Sequence, residues 1–347
     1  MPDPERKQNP SAAATSNAGH PRRGRRAFIV ATASAAALHT AGLRAEAKMR
    51  RIGFLGNSTG ELEANLVGPF REGLHDLGYV EGRNVEIVYR WAGGDYARFP
   101  TLVAELLAAH VDVIVTAGTP AAQVVERAKS GIPLVMVAVG DPVGTHLVAS
   151  LAHPGGNATG LTSIAPDLEG KRLELLTQVV PSLASVAVVW NPDNAFHVGA
   201  ERQAQVAAKR LKLAMLSVRV RAAADFDAAF DAITTGGAGA LSVLADRIYL
   251  HNRARIVSFA ARRRLPAVYA YRELVDAGGL MSFGPDYAEM HRRAATYVDR
   301  IFKGAKPGDL PIEQPTKFQL LVNLRAAEAI GLAIPKPLLV RADEIIR

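Results

Sequence analysis

Short, continuous apolar runs alternate with helix-period segments along residues 50–347, and three of the runs recur in the same order about 127–134 positions later. Arg51-Ile-Gly-Phe-Leu-Gly56 has its counterpart in Ser185-Val-Ala-Val-Val-Trp190. Ile52 and Val186 are 134 apart, as are Asn57 and Asn191. Val113–Thr116 returns near Ala240–Leu244, and Ile132-Pro133 returns as Leu265-Pro266. An uninterrupted apolar run is what a strand buried on both faces requires, and strands of that kind separated by helices form parallel sheets. The repeat therefore predicts two similar α/β lobes. Helices are predicted from Leu66 to Leu77, over 102–109, 121–129 and 143–151 in the first lobe, and at 168–180, 287–302 and 323–330 beyond it.

No long flexible linker separates the lobes. Three Gly- or Pro-bearing extended pieces, 158–163, 281–284 and 311–318, read as crossings between them and as hinge candidates. This divides the chain into 48–157 plus 284–313 for one lobe and 164–280 plus 314–347 for the other. The expected fold class is α/β, with two Rossmann-like lobes of parallel sheet joined by three crossover segments.

Residues 1–47 read differently. A polar stretch is followed by Arg25-Arg26-Ala27-Phe28-Ile29, which matches the twin-arginine export pattern, then by an Ala-rich run and Ala45-Glu46-Ala47. The small-x-small box places cleavage after Ala47 and the protein in the periplasm. This segment holds seven of the basic residues and three of the acidic ones, so the formal charge of +8 falls to +4 for the remainder, which makes no case for nucleic acid. The chain has no cysteine, which excludes disulfides, thiolate metal sites and a cysteine nucleophile. No Walker motif, Gly-x-Ser-x-Gly elbow or His-Glu-x-x-His helix occurs, and Gly236-Gly237-Ala-Gly239 precedes a strand rather than opening a helix. No cofactor or metal is expected.

Ligands of open α/β sheets bind beyond the carboxyl ends of the strands. Two such edges facing each other nominate Asn57 and Ser58, Thr119, Pro120 and Ala121, and Asp141 and Pro142 from the first lobe. From the second they nominate Asn191 and Asn194, Asp246, and Tyr271 and Glu273. Thr119 reads either as a helix N-cap or as part of a helix start whose free N–H groups receive an anion. Asp141 either caps the helix predicted after Pro142 or meets a ligand ammonium. Asp246 either meets a ligand amine or is paired by Arg247. Trp190 is an aromatic wall or, preferentially, core. Of Tyr269 and Tyr271, which alternate along a strand end, Tyr271 is favoured for the cleft.

Several segments together resemble the solute-binding proteins of ABC uptake systems, with the type I periplasmic binding fold. They are Glu72–Asn84, Tyr89–Trp91, Val111–Val115, Gly140–Val143, Leu151–Gly160, Gly170–Leu176, Asp309–Pro315 and Leu338–Glu344. The resemblance implies capture of a small solute, commonly an amino acid, by closure of the lobes, and delivery to membrane permease subunits by a monomer without catalysis. An enzyme acting in a cleft of the same shape, such as a racemase or glycosyl transferase, would need a reactive pair such as Asp141 and Asp246. A sugar-repressor-like regulator would need an N-terminal helix-turn-helix, which residues 1–47 do not provide.

Overall fold

The computed structural model describes residues 49–164 and 168–347. The predicted export segment and its cleavage after Ala47 lie outside the described residues. In the first lobe the chain runs β1 (Arg50–Gly56), α1 (Ala64–Asp76), β2 (Val85–Trp91), α2 (Phe99–Ala108), β3 (Val113–Ala117), α3 (Thr119–Arg127), β4 (Leu134–Val139) and β5 (Ala158–Thr162). It continues through α4 (Leu168–Val179), β6 (Ser185–Trp190), α5 (Ala195–Arg210), β7 (Ala214–Arg219), α6 (Phe226–Thr235), β8 (Leu241–Val243), α7 (Arg247–His251), α8 (Arg253–Arg262), β9 (Ala267–Tyr269), α9 (Arg272–Asp276) and β10 (Met281–Pro285). Then come α10 (Tyr287–Phe302), β11 (Phe318–Asn323), α11 (Leu324–Ala329), α12 (Lys336–Arg341) and β12 (Glu344–Ile346).

The first sheet has the order β2-β1-β3-β4-β5, and the second β12-β11-β10-β9-β8-β6-β7. Read from β7 inward, the second sheet repeats the first strand for strand. β6 stands where β1 stands, β8 where β3 stands and β9 where β4 stands. All pairings are parallel except β10 with β11. β3, β4, β8 and β9 are buried along their whole length, as uninterrupted apolar runs demand.

The crossings differ from the sequence reading. Residues 158–162 are β5, paired to β4 in the first sheet, and 281–285 are β10, between β9 and β11 in the second. The chain passes between the sheets just beyond these strands. After β10 it enters α10, which packs on α1, β4 and β5 of the first lobe. It then bridges Leu161 at Glu313 and returns to the second sheet as β11. A second correction concerns the helix predicted at 143–151, which is a set of turns. Among the described residues no helix is long and apolar enough to cross a membrane, and no group of His, Asp and Glu is arranged to hold a metal.

Candidate functional site

The carboxyl ends of both sheets face each other, and the polar residues there are organised mainly by one another. After β1, Asn57 is 1% exposed. Its Nδ2 donates to the Ala117 carbonyl at 3.0 Å, while its Oδ1 has no partner among the described residues. The N–H groups of Asn57 and Ser58 donate to Glu63 Oε1 at 2.9 and 2.6 Å. Burial raises the Glu63 carboxyl above its ordinary pKa, although Arg247 and these two N–H groups pull it down. Ser58 Oγ lies 2.7 Å from His251 Nδ1, a hydrogen bond across the lobes.

In the second lobe the counterpart loop after β6 is held by a buried histidine. The Asn191 N–H donates to His197 Nδ1 at 2.9 Å, and the opposite ring nitrogen, Nε2, lies 3.0 Å from the Ala245 carbonyl. An acceptor Nδ1 leaves the proton on Nε2, so the tautomer follows from the two partners. Burial holds this imidazole below its usual pKa, against the pull of Asp246.

Asp246 accepts from four protein donors, and Arg247 is not among them. Its Oδ2 accepts from Asn191 Nδ2 at 3.2 Å and Asn194 Nδ2 at 3.0 Å. Its Oδ1 accepts from the Ile248 N–H at 3.0 Å, capping α7, and from the Tyr96 hydroxyl at 2.7 Å. Four donors satisfy the carboxylate, and Asn191 and Asn194 spend their amides on it. Asn194 also caps α5 through the Phe196 N–H.

Arg247 is the open group. It is 2% exposed, and none of its three guanidinium nitrogens has a hydrogen-bond partner among the described residues. Its guanidinium lies over the rings of Tyr271, 5.0 Å from the centroid, and Tyr287, at 5.6 Å, and these rings are themselves 4.7 Å apart. Burial alone would depress its pKa, but facing Tyr271, Glu63, Tyr287 and Glu273 carry it above the ordinary value, so it stays charged. Ring faces offset part of the charge but accept none of its N–H bonds. Each buried donor left without an acceptor costs about 1–3 kcal/mol. Glu273, 5% exposed, accepts from Asn65 Nδ2 across the lobes at 2.7 Å with Oε1, and its Oε2 has no partner among the described residues.

Arg247 and Tyr271 line a narrow cavity together with Tyr96, Thr119, Gly140 and Phe196. A second narrow cavity shares Ser163, Phe196 and Ala245 with it and is walled further by Glu169, Arg172 and Tyr287. The start of α3 faces the first cavity through Thr119 and Pro120. Thr119 is not the N-cap: Gly118 holds that position with φ +83°, a conformation glycine adopts without strain. Thr119 Oγ1 instead accepts from the Gly140 N–H at 3.1 Å. No side chain caps α3, so its first N–H groups are left for other partners. Pro120 and Ala121 are buried in the first turn.

β4 ends in an irregularity that shapes the same wall. The register with β5 shifts between Met136 and Val139, and Ala138 there has φ +51°. A bulge of this kind re-aims the strand end, and a non-glycine residue held at positive φ marks local strain. Asp141, half-buried, accepts from the Gly144 N–H at 2.8 Å and caps a turn rather than a helix, with Pro142 buried behind it. Trp190 donates Nε1–H to Ser217 Oγ and packs in the second lobe's core. Tyr269, at the end of β9 in the second sheet, is fully buried, whereas Tyr271 reaches the cavity.

The structure thus brings Asn57, Thr119, Pro120, Tyr271 and Glu273 to the cleft or its wall, engages Asn191, Asn194 and Asp246 in support, and leaves Asp141 at its edge. Sequence reasoning missed Tyr96, Phe196 and Tyr287 as lining residues, and treated Arg247 as a partner for Asp246. The signal for Arg247 was its place at a helix start just past a buried strand end.

A family model described as ABC transporter substrate binding protein matches residues 60–346. The tyrosine-binding protein of Clostridioides difficile (strain R20291) is 25% identical over 278 residues, covering 79% of this chain and 80% of that one. The crystal structure of a conserved domain protein from Vibrio cholerae O1 superposes with a TM-score of 0.80 at 29% identity, covering 86% of this chain and 100% of that one. An ABC domain from Streptococcus pneumonia in complex with L-Trp has the same fold, with a TM-score of 0.79 at 24% identity over 86% and 99% of the two chains.

Proposed function

The chain belongs to the family of ABC transporter substrate binding proteins, and on that footing we propose that it captures a small solute, an amino acid, between its lobes, with the ligand carboxylate on Arg247. Proteins of this family bind small solutes and work with ABC permeases. The observation that carries the amino-acid reading is the buried guanidinium without a hydrogen-bond partner. A carboxylate answers it in kind, because the planar fork of arginine matches two carboxylate oxygens. The uncapped start of α3 across the cavity favours negative charge at the same place. Two unpartnered acceptors at the cleft, Asn57 Oδ1 and Glu273 Oε2, suit an ammonium group. The relatives named for tyrosine and for bound L-Trp agree with this class of ligand.

Capture on this reading is a population shift. The ligand binds the closed arrangement better than the open one, and the passages beyond β5 and β10 and before β11 take up the motion. The protein acts as a monomer in the periplasm, exported through the leader carrying Arg25 and Arg26, and catalyses nothing. Its two carboxylates best placed for chemistry, Asp141 and Asp246, are spent on local donors. Calorimetry of the full chain against the twenty amino acids tests the proposal. The expected result is a complex of micromolar affinity or better, weakened at least a hundredfold in Arg247→Met. Binding of no amino acid, or equal binding by the variant, overturns it.

A further inference from the structure

The two lobes hold the loop after their first strand in the same way but with different chemistry. Asn57 and Asn191 are 134 positions apart, and so are Glu63 and His197. Each of the latter accepts the N–H of the asparagine six residues before it, Glu63 through Oε1 at 2.9 Å and His197 through Nδ1 at 2.9 Å. Both are buried, at 2% and 0% exposed. Burial pushes both towards the uncharged form, the carboxyl up and the imidazole down. The second lobe thus fixes its loop with a neutral acceptor. Glu63 Oε1 also takes the Ser58 N–H at 2.6 Å, where the second lobe has Pro192, which lacks that donor. A neutral amide oxygen has lone pairs for both. The loop therefore needs an acceptor at position 63 but not an anion, and a buried anion is costly.

The charge finds its use across the cleft. After burial itself, Arg247 has the largest effect on Glu63. Against its own burial Arg247 is supported by Tyr271, Glu63, Tyr287 and Glu273. Tyr271 and Glu273 lie in the second lobe with Arg247 and travel with it. Tyr287 is a phenol, pushed up to about 12 mainly by burial, and stays neutral. Glu63 is a carboxylate of the first lobe. The loop it holds also docks on the helix that carries Arg247: Ser58 Oγ lies 2.7 Å from His251 Nδ1, and a Cβ at Gly94 would lie 2.6 Å from the same ring.

We propose that Glu63 is a positioning residue whose charge offsets the cost of drying Arg247 when the lobes meet, so that the closed arrangement is populated before any solute arrives. Parted lobes leave the guanidinium to water. Joined lobes remove that water, and no protein hydrogen bond among the described residues replaces it. An opposite charge counts for most in such a place, where the dielectric is low. The assignment uses only charges of the chain itself and stands apart from the identity of the ligand.

The absence of cysteine makes the test direct. α3 and α5 approach each other across the cleft, and Arg127→Cys in α3 with Val206→Cys in α5, both exposed positions, take a pair of dyes. Single-molecule energy transfer in the ligand-free full chain then reads the closed-to-open ratio. Glu63→Gln keeps the acceptor and removes the charge; it is expected to lower that ratio about fivefold or more. In an Arg247→Met background the same substitution is expected to change nothing, because the charge to be offset is gone. An unchanged ratio in Glu63→Gln overturns the assignment, and so does an equal fall in both backgrounds, which would make Glu63 a loop acceptor alone. Glu63→His, which copies the second lobe, is the second variant and should behave as Gln does. Failure of both variants to fold in the parent chain but not beside Arg247→Met would show the same coupling through stability; failure in both backgrounds overturns it.

Discussion

Tyr96, in a short turn after β2, donates its hydroxyl to Asp246 Oδ1 at 2.7 Å, so a first-lobe phenol completes the coordination of a second-lobe carboxylate. Burial, then the Asp246 charge, hold the phenol well above its ordinary pKa, so it remains a donor at any working pH. The bond exists only when the lobes are together. Tyr96→Phe keeps the ring against Phe99, whose centroid is 5.0 Å away, and deletes the bond alone. A hydrogen bond to a charged group contributes about 1.5–3 kcal/mol. Ligand affinity should fall by about ten- to a hundredfold, with thermal stability of the unliganded chain almost unchanged. Calorimetry and differential scanning measure the two; a variant that binds as tightly as the parent shows that the latch is idle.

Arg247 should trade stability for binding. Replacing a buried charge that lacks full compensation by an apolar residue of similar length is commonly neutral or stabilising by about 1–4 kcal/mol. Arg247→Met is therefore expected to raise the melting temperature of the ligand-free protein while abolishing tight binding. A melting temperature that drops by several degrees would mean that the guanidinium serves the fold instead.

Gly140 leaves room for a neighbour from the opposite lobe. A Cβ built there would lie 2.1 Å from the Phe196 ring. Gly140→Ala should hold the lobes apart, lower ligand affinity more than tenfold and increase the radius of gyration of the liganded protein in solution scattering, without unfolding it. Parent-like scattering and affinity would show that the ring simply moves aside.

Acid should weaken the fold partly through His291. This α10 residue is 1% exposed, and its Nδ1–H donates to the Tyr287 carbonyl. Burial, with the nearby Arg247 charge, lowers its pKa from 6.5 to about 3. A depressed pKa means that the folded state resists the proton the unfolded state accepts. The contribution is complete above about 6.5 and drains away as pH falls towards 3. His291→Gln should flatten the decline of melting temperature between pH 7 and pH 4. Parallel curves for the two proteins would assign the acid sensitivity elsewhere.

The repeat could be read from the chain because buried parallel strands leave an unmistakable apolar run, and Ile52 and Val186 sit in two of them. The second-sheet membership of β10 could not. Met281–Pro285 reads as any short extended piece, and what makes it a strand is pairing with β9 on one side and β11 on the other. The turns at 143–151 carried apolar spacing that mimicked a helix, but Asp141 takes the Gly144 N–H and closes a turn first. The placement of Asp246 at a strand end was legible. Its saturation was not, since the donors arrive from positions 96, 191, 194 and 248, and convergence of that kind belongs to the tertiary structure. The same holds for Arg247, whose significance is the absence of a partner.

The contact between α1 and α10 sets the order in which the molecule can be completed. Gly73 brings the two helices so close that a Cβ would lie 2.5 Å from the Arg292 carbonyl, and Arg292 ion-pairs with Glu72 and Asp76. The α1 helix, which buries Leu66, Phe70 and Leu74, gains its α10 neighbour, with Met290, Ala294 and Ala295 buried in it, only over two hundred residues later. The lobe translated first is thus not finished until most of the second lobe has been made. A nascent chain halted before residue 287 lacks α10, so ribosome, chaperone or export machinery meets a first lobe whose α1 is still without that neighbour.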